Sequence, residues 1–160
     1  MGAVYFYHLT RKPLEATLPL LLTKARAAGW RILVRGRDAT LIEWLDEKLW
    51  LGPEESFLAH GRAGGPYDAR QPILLTTDPG AAPNEAQCVI SVGGAEISAQ
   101  EIATAERACI LFDGLDEDAT AQARAQWKDL TAAGCAAQYW TEESGQWQMK
   151  AQSPPPDPKD

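Results

Sequence analysis

Cysteine, histidine and positive charge are all scarce in this 160-residue chain, and each scarcity closes a class of function. The three cysteines, Cys88, Cys109 and Cys135, are far apart and odd in number, so they match neither a disulfide framework nor paired metal-ligand spacing. Cys88 and Cys109 fall inside apolar runs, where a free thiol behaves as a small hydrophobe. The two histidines, His8 and His60, lie in no metal-binding pattern, so neither a metal nor another cofactor is implied. Fifteen Lys and Arg against twenty-two Asp and Glu give a net charge of −7. A protein that grips DNA directly shows a basic surface, because released counterions supply most of the affinity, so strong direct DNA binding is not expected. The longest apolar stretch, Leu18 to Leu22, is broken by Pro19 and is far too short to span a bilayer. The opening residues read as a strand and not as a signal segment, so a cytoplasmic location is expected.

What is present is the composition of a folded domain, with 45% hydrophobic and 23% charged residues. Strand signals rich in β-branched and aromatic residues occur at Val4–Leu9, Arg31–Arg35, Pro72–Thr76, Gln87–Val92 and Arg107–Phe112. Between them lie helical patterns. The first carries Leu14, Leu18, Leu21, Leu22 and Ala25 on one face and stops at Gly29, with Pro13 in its first turn and a kink or delayed start expected at Pro19. In the second, Asp38 caps the start, Leu41, Leu45 and Leu49 form the buried stripe, and Gly52 and Pro53 end it. Residues 51–70 read as loop. A short helix is expected near Ser98–Glu106 and a long one over Asp116–Ala133, acidic at its start and followed by Gly134. Ala136–Thr141 and Trp147–Ala151 suggest a terminal hairpin around Ser144 and Gly145. Strands alternating with helices imply an α/β fold of the doubly wound class, a mostly parallel sheet with helices on both faces. We expect one domain over 1–151 and a Pro-rich, disordered tail over 152–160.

Doubly wound folds often bind nucleotides, so a small nucleotide- or phosphate-binding enzyme is the alternative to weigh. The loop after the first strand, Thr10-Arg11-Lys12-Pro13, lacks the glycines that let a backbone approach a pyrophosphate. Gly93-Gly94 is a weak anion-turn signal. Asp113, Asp116, Glu117 and Asp118 suit the N-terminus of the long helix better than a cation site. On that helix, at about 100° per residue, Ala119, Ala123, Gln126, Leu130 and Ala133 face the sheet. Trp127 falls at the edge of this face beside Arg124 and Lys128. An indole next to two cations suits a peptide that carries an apolar side chain and a carboxylate, although the same spacing also fits a boundary tryptophan with two solvated cations.

The run of motifs VYFYHLTRKPLE, AAGWRILV, LDEKLWLGPEESFLAHG, QPILLTT, LFDG, ARAQWKDLTAAG and QYW resembles, in order and over nearly all of residues 3–151, the chi subunit of bacterial DNA polymerase III. The resemblance implies a Rossmann-like, non-enzymatic clamp-loader accessory subunit. The role in DNA replication that the resemblance implies is to link the clamp loader to single-stranded DNA-binding protein by gripping that protein's acidic C-terminal tail, which ends in phenylalanine. It places Arg124, Trp127 and Lys128, together with Trp50 and Phe57, in the tail-binding pocket. It also implies a clamp-loader partner, psi where that subunit exists and otherwise the ATPase subunits.

Overall fold

The structure, a computed structural model, describes residues 2–51, 59–79, 83–142 and 145–153. The strands are β1 (Ala3–Leu9), β2 (Ile32–Arg35), β3 (Gly61–Arg62), β4 (Ile73–Thr76), β5 (Cys88–Ser91), β6 (Arg107–Asp113), β7 (Ala136–Thr141) and β8 (Gln148–Ser153). The helices are α1 (Leu14–Ala27), α2 (Ala39–Trp50), α3 (Ala99–Thr104) and α4 (Glu117–Ala132). The strands form one sheet in the order β3-β4-β2-β5-β6-β1-β7-β8, parallel throughout except for the antiparallel β7–β8 pair.

Alternation along the strands sends side chains to two separate cores. Ile32, Val34, Ile73, Leu75, Ile90, Cys109 and Leu111 meet the apolar stripes of α1 and α2 on one face. Val4, Phe6, Leu33, Leu74, Val89, Ile110 and Phe112 meet Ile102 of α3 and Ala123 and Leu130 of α4 on the other. Central parallel strands covered on both faces must be apolar on both, and β2, β4 and β5 are buried at every position. Cys88 and Cys109 are buried as expected, and the Cys109 thiol is pushed up by its hydrogen bond with Cys88 and by burial, which leaves it unreactive.

The expected doubly wound, Rossmann-like fold is present, with local corrections. α1 starts at Leu14 with Pro13 as its N-cap and runs through Pro19, so its start is not delayed there. Ile42, and not the half-buried Leu41, completes the buried stripe of α2 with Leu45 and Leu49. Ala133 is the exposed C-cap of α4 and does not face the sheet. Residues 51–70 are not all loop, since Gly61–Arg62 adds a parallel edge strand and Asp68–Arg70 forms a 3-10 turn. His60 anchors this segment, with its Nε2 3.1 Å from the Asp46 carboxylate of α2. Strand β8 runs on to Ser153. The expected stop at Gly52 and Pro53 and the turn residue Ser144 lie outside the described residues.

One buried charge ties the second face together. Arg35, at the end of β2, is 1% exposed. It donates to the carbonyl oxygens of Asp78 and Glu96 and pairs with Glu101 at 2.8 Å. Glu101 also closes a capping box with Ser98 at the start of α3. Burial acts to raise the Glu101 carboxyl, but the Arg35 guanidinium and the Ser98 donors hold it below the usual carboxylate range. Removing one member strands the other in the core. Glu101→Ala should therefore cost about 3 kcal/mol, and Glu101→Gln, which keeps the hydrogen-bonding shape, should cost less. Urea unfolding of the three proteins checks the order.

Candidate partner-binding site

Helix α4 carries the cationic candidates, and its ends are well defined. The Asp116 side chain accepts the N–H groups of Asp118 and Ala119 at 2.9 and 3.2 Å, and Glu117 and Asp118 add negative charge to the first turn. Beyond the other end, Gly134 takes φ +93°, a left-handed conformation that closes a helix at little cost to glycine. Inward, Ala123 and Leu130 are buried against the sheet.

Trp127 is half-buried, and its indole meets Phe6 of β1 edge-on at 5.4 Å and Tyr139 of β7 at 6.1 Å. Phe6 and Tyr139 are register partners on neighbouring parallel strands. The Tyr139 hydroxyl lies 2.7 Å from His8 Nδ1, and the His8 ring packs on Phe112 at 5.1 Å. The indole is thus held on its inner side by an aromatic wall spanning three strands. Arg124 and Lys128 are exposed on adjacent turns of the same helix, and among the described residues neither takes part in an ion pair. The arrangement offers an apolar edge with two cations beside it.

Trp50 is not part of that cluster. It ends α2, which lies against β3 and β4 under the opposite face of the sheet, whereas α4 lies against β6 and β7. The Trp50 indole is 52% exposed and stacks 4.3 Å from the His60 ring. Phe57 lies outside the described residues.

Two site features escaped sequence reasoning. Strand alternation alone was enough to place Phe6 and His8 on one face, but the pairing of β1 with β7 was needed to bring Tyr139 to them. The second feature is Glu142. Just after β7, its Oε1 accepts the backbone N–H groups of Thr10, Arg11 and Lys12 at 3.2, 2.9 and 2.9 Å. Such convergent amides form the kind of nest that holds a phosphate in nucleotide-binding relatives of this architecture. Here the chain's own carboxylate fills it, across 130 to 132 positions of sequence that carry no local signal. The Gly93-Gly94 turn, with φ +59° and +82°, gives the Gly94 carbonyl to Gln122 Nε2 at 2.8 Å, which makes it a link to α4. Among the described residues no group of three or more His, Cys, Asp or Glu is arranged to hold a metal ion, and no helix is long and apolar enough to cross a membrane.

These features define a doubly wound α/β domain whose phosphate position is closed from within and whose outward helix presents a cationic, aromatic-edged surface. The chain belongs to the DNA polymerase III chi subunit family: the model of the family described as DNA polymerase III chi subunit, HolC, matches residues 1–138. It is thus a member of a family of replisome accessory subunits. Among curated proteins no match is found. The family match takes in Arg124, Trp127 and Lys128 and ends just before Tyr139 and Glu142.

The nest makes a pH prediction. Burial works to raise the Glu142 carboxyl, but the N–H groups of Lys12, Arg11 and Thr10 and the Lys12 charge hold it below its ordinary value. A carboxyl with a lowered folded pKa binds fewer protons when folded. Its stabilisation is therefore complete above the unfolded value of about 4.3 and is lost as pH falls through the lower folded value. Glu142→Gln should be less stable than the parent at pH 7, with a gap that shrinks on acidification below about pH 4. Urea unfolding of both proteins across pH measures that difference, and the matching Glu101 contribution cancels between them.

Proposed function

We propose that this protein is a non-catalytic adaptor that ties the DNA polymerase III clamp loader to single-stranded DNA-binding protein by holding the acidic, phenylalanine-ending tail of the latter. The observation that carries the reading is the α4 surface, where Trp127 presents an apolar edge beside the exposed cations Arg124 and Lys128. A terminal phenylalanine needs apolar cover, and its carboxylate and neighbouring acidic residues need donors of positive charge. On a chain of net charge −7, an acidic tail is repelled except at such a patch, so recognition is local.

Burial of one phenyl ring contributes about 2–3 kcal/mol. A contact this small gives modest affinity, and several tails on one oligomer would strengthen it by avidity. The other partner in this reading is a clamp-loader subunit, psi where present and otherwise an ATPase subunit. The nucleotide-binding alternative is weakened by Glu142, which occupies the amides that a phosphate would use.

A synthetic tail peptide should bind saturably and more weakly as salt rises. Lys128→Glu, an exposed change that leaves the core alone, should reduce affinity at least tenfold, and Trp127→Ala should remove measurable binding. Anisotropy titrations test this, and parent-like affinity in both variants would overturn the site assignment.

A further inference from the structure

A concave surface opens at the C-terminal edge of the sheet. Neighbouring strands β1 and β6 lead into α1 and α4, which cover opposite faces, so the two chains diverge as they leave the sheet. Doubly wound folds place their ligands at such a divergence. Here it forms a cavity of about 720 Å³, bounded by the loop after β1, the start of α1, the first half of α2, the Gly93-Gly94 turn and α4 as far as Gln126.

The lining combines exposed apolar groups with an acidic rim. Leu115, on the loop between β6 and α4, is 77% exposed, and Trp44 of α2 is 37% exposed. Single exposed apolar residues are ordinary, but these two converge on one concavity with Leu41 between the helices. The Leu115 loop is also held in shape, since Asp113 Oδ1 accepts the Leu115 N–H at 2.9 Å. Glu15, Asp113, Asp116 and Asp118 face Arg11 and Lys12 around the rim, four carboxylates against two cations. Lys12 already lies in the field of the buried Glu142. The surplus is negative, and the convergent amides of Thr10, Arg11 and Lys12 are filled by Glu142.

We propose that this cavity is a docking site for a basic amphipathic segment of a partner protein. An apolar side chain of that segment enters between Leu115 and Trp44, and its Lys or Arg residues meet Asp113, Asp116 and Asp118. The volume has room for several side chains of a docked segment. The charge is opposite to that of the Arg124–Lys128 surface, so two different sides of α4 select partners of opposite sign.

The test uses the full chain and three labelled synthetic peptides of equal length: one of leucine and lysine, one with every lysine replaced by glutamate, and one with every leucine replaced by serine. The leucine–lysine peptide should bind in anisotropy titrations and shift the Trp44 indole N–H resonance, identified by its loss in Trp44→Phe. Leu115→Ser should weaken it at least tenfold with an unchanged melting temperature, and Lys128→Glu should leave it intact. No binding at millimolar peptide, equal binding by Leu115→Ser, equal binding of the serine–lysine peptide, or preference for the glutamate peptide would each overturn the proposal. A loss seen only in Lys128→Glu would overturn it too, by moving the contact to the other side of the helix. Failure of the acidic tail to bind is read with a different peptide and leaves this result unaffected.

Discussion

A parallel sheet has no face that can be left to water, and that constraint organises everything else in this molecule. Its central strands are joined by crossovers, and the crossover helices have to cover both sides. Strands β2, β4 and β5 accordingly carry apolar side chains at nearly every position. Helices α1 and α2 take one face, α3 and α4 the other. Two consequences follow from the same rule. Each helix keeps an outward side free of packing duties, which is where α4 carries Arg124 and Lys128. Adjacent strands that feed opposite faces must also part at their ends, which is where the crevice forms.

What the chain does with its crevice separates it from nucleotide-binding members of the same architecture. The first strand ends in consecutive amides that point to one spot, as they do when a phosphate sits there. Glu142 occupies the spot with a carboxylate held below its usual pKa by those donors. An internal ligand of this kind costs no association entropy and cannot be washed away, so it fastens the end of β7 to the loop after β1. The anion-binding potential of the fold is thereby turned into structure, and the surface that remains around it has an acidic surplus.

The pattern of strands and helices was legible from residue types alone, because period-2 and period-3.6 alternation record directly which face is buried. Capping was legible too at Asp38 and in the acidic start of α4, where Asp116 is the N-cap. The edge strand Gly61–Arg62 was not, since two residues carry no periodicity and their pairing with β4 is what makes them a strand. Leu41 and Ile42 traded places because each lies within one position of the ideal stripe and packing against the sheet decides between them. On α4 the residues were readable but their setting was not. Spacing put Trp127 beside Arg124 and Lys128, whereas the wall of Phe6, Tyr139 and His8 that fixes the indole depends on strand order, a non-local property. The separation of Trp50 from this cluster has the same origin, because motif order along a chain says nothing about which face of a sheet a helix covers.

A tryptophan anchored in this way bears on how a small surface can recognise a flexible tail. Ordering a peptide end costs conformational entropy, and a contact of one ring and a few charges has little free energy to set against that cost. Any freedom in the receptor side chain adds to it. Here the indole is held by ring contacts at 5.4 and 6.1 Å on its inner side, and the Tyr139 ring is itself fixed by its hydroxyl. The receptor's share of the entropy is thus largely spent during folding, when Phe6 and Leu130 are buried. In the proposed docking mode, only the long cationic side chains of Arg124 and Lys128 still have to be ordered on binding. In that mode the aromatic wall of Phe6 and Tyr139 touches no part of the tail, yet by fixing the indole it sets how much of the affinity offered by those cations is realised.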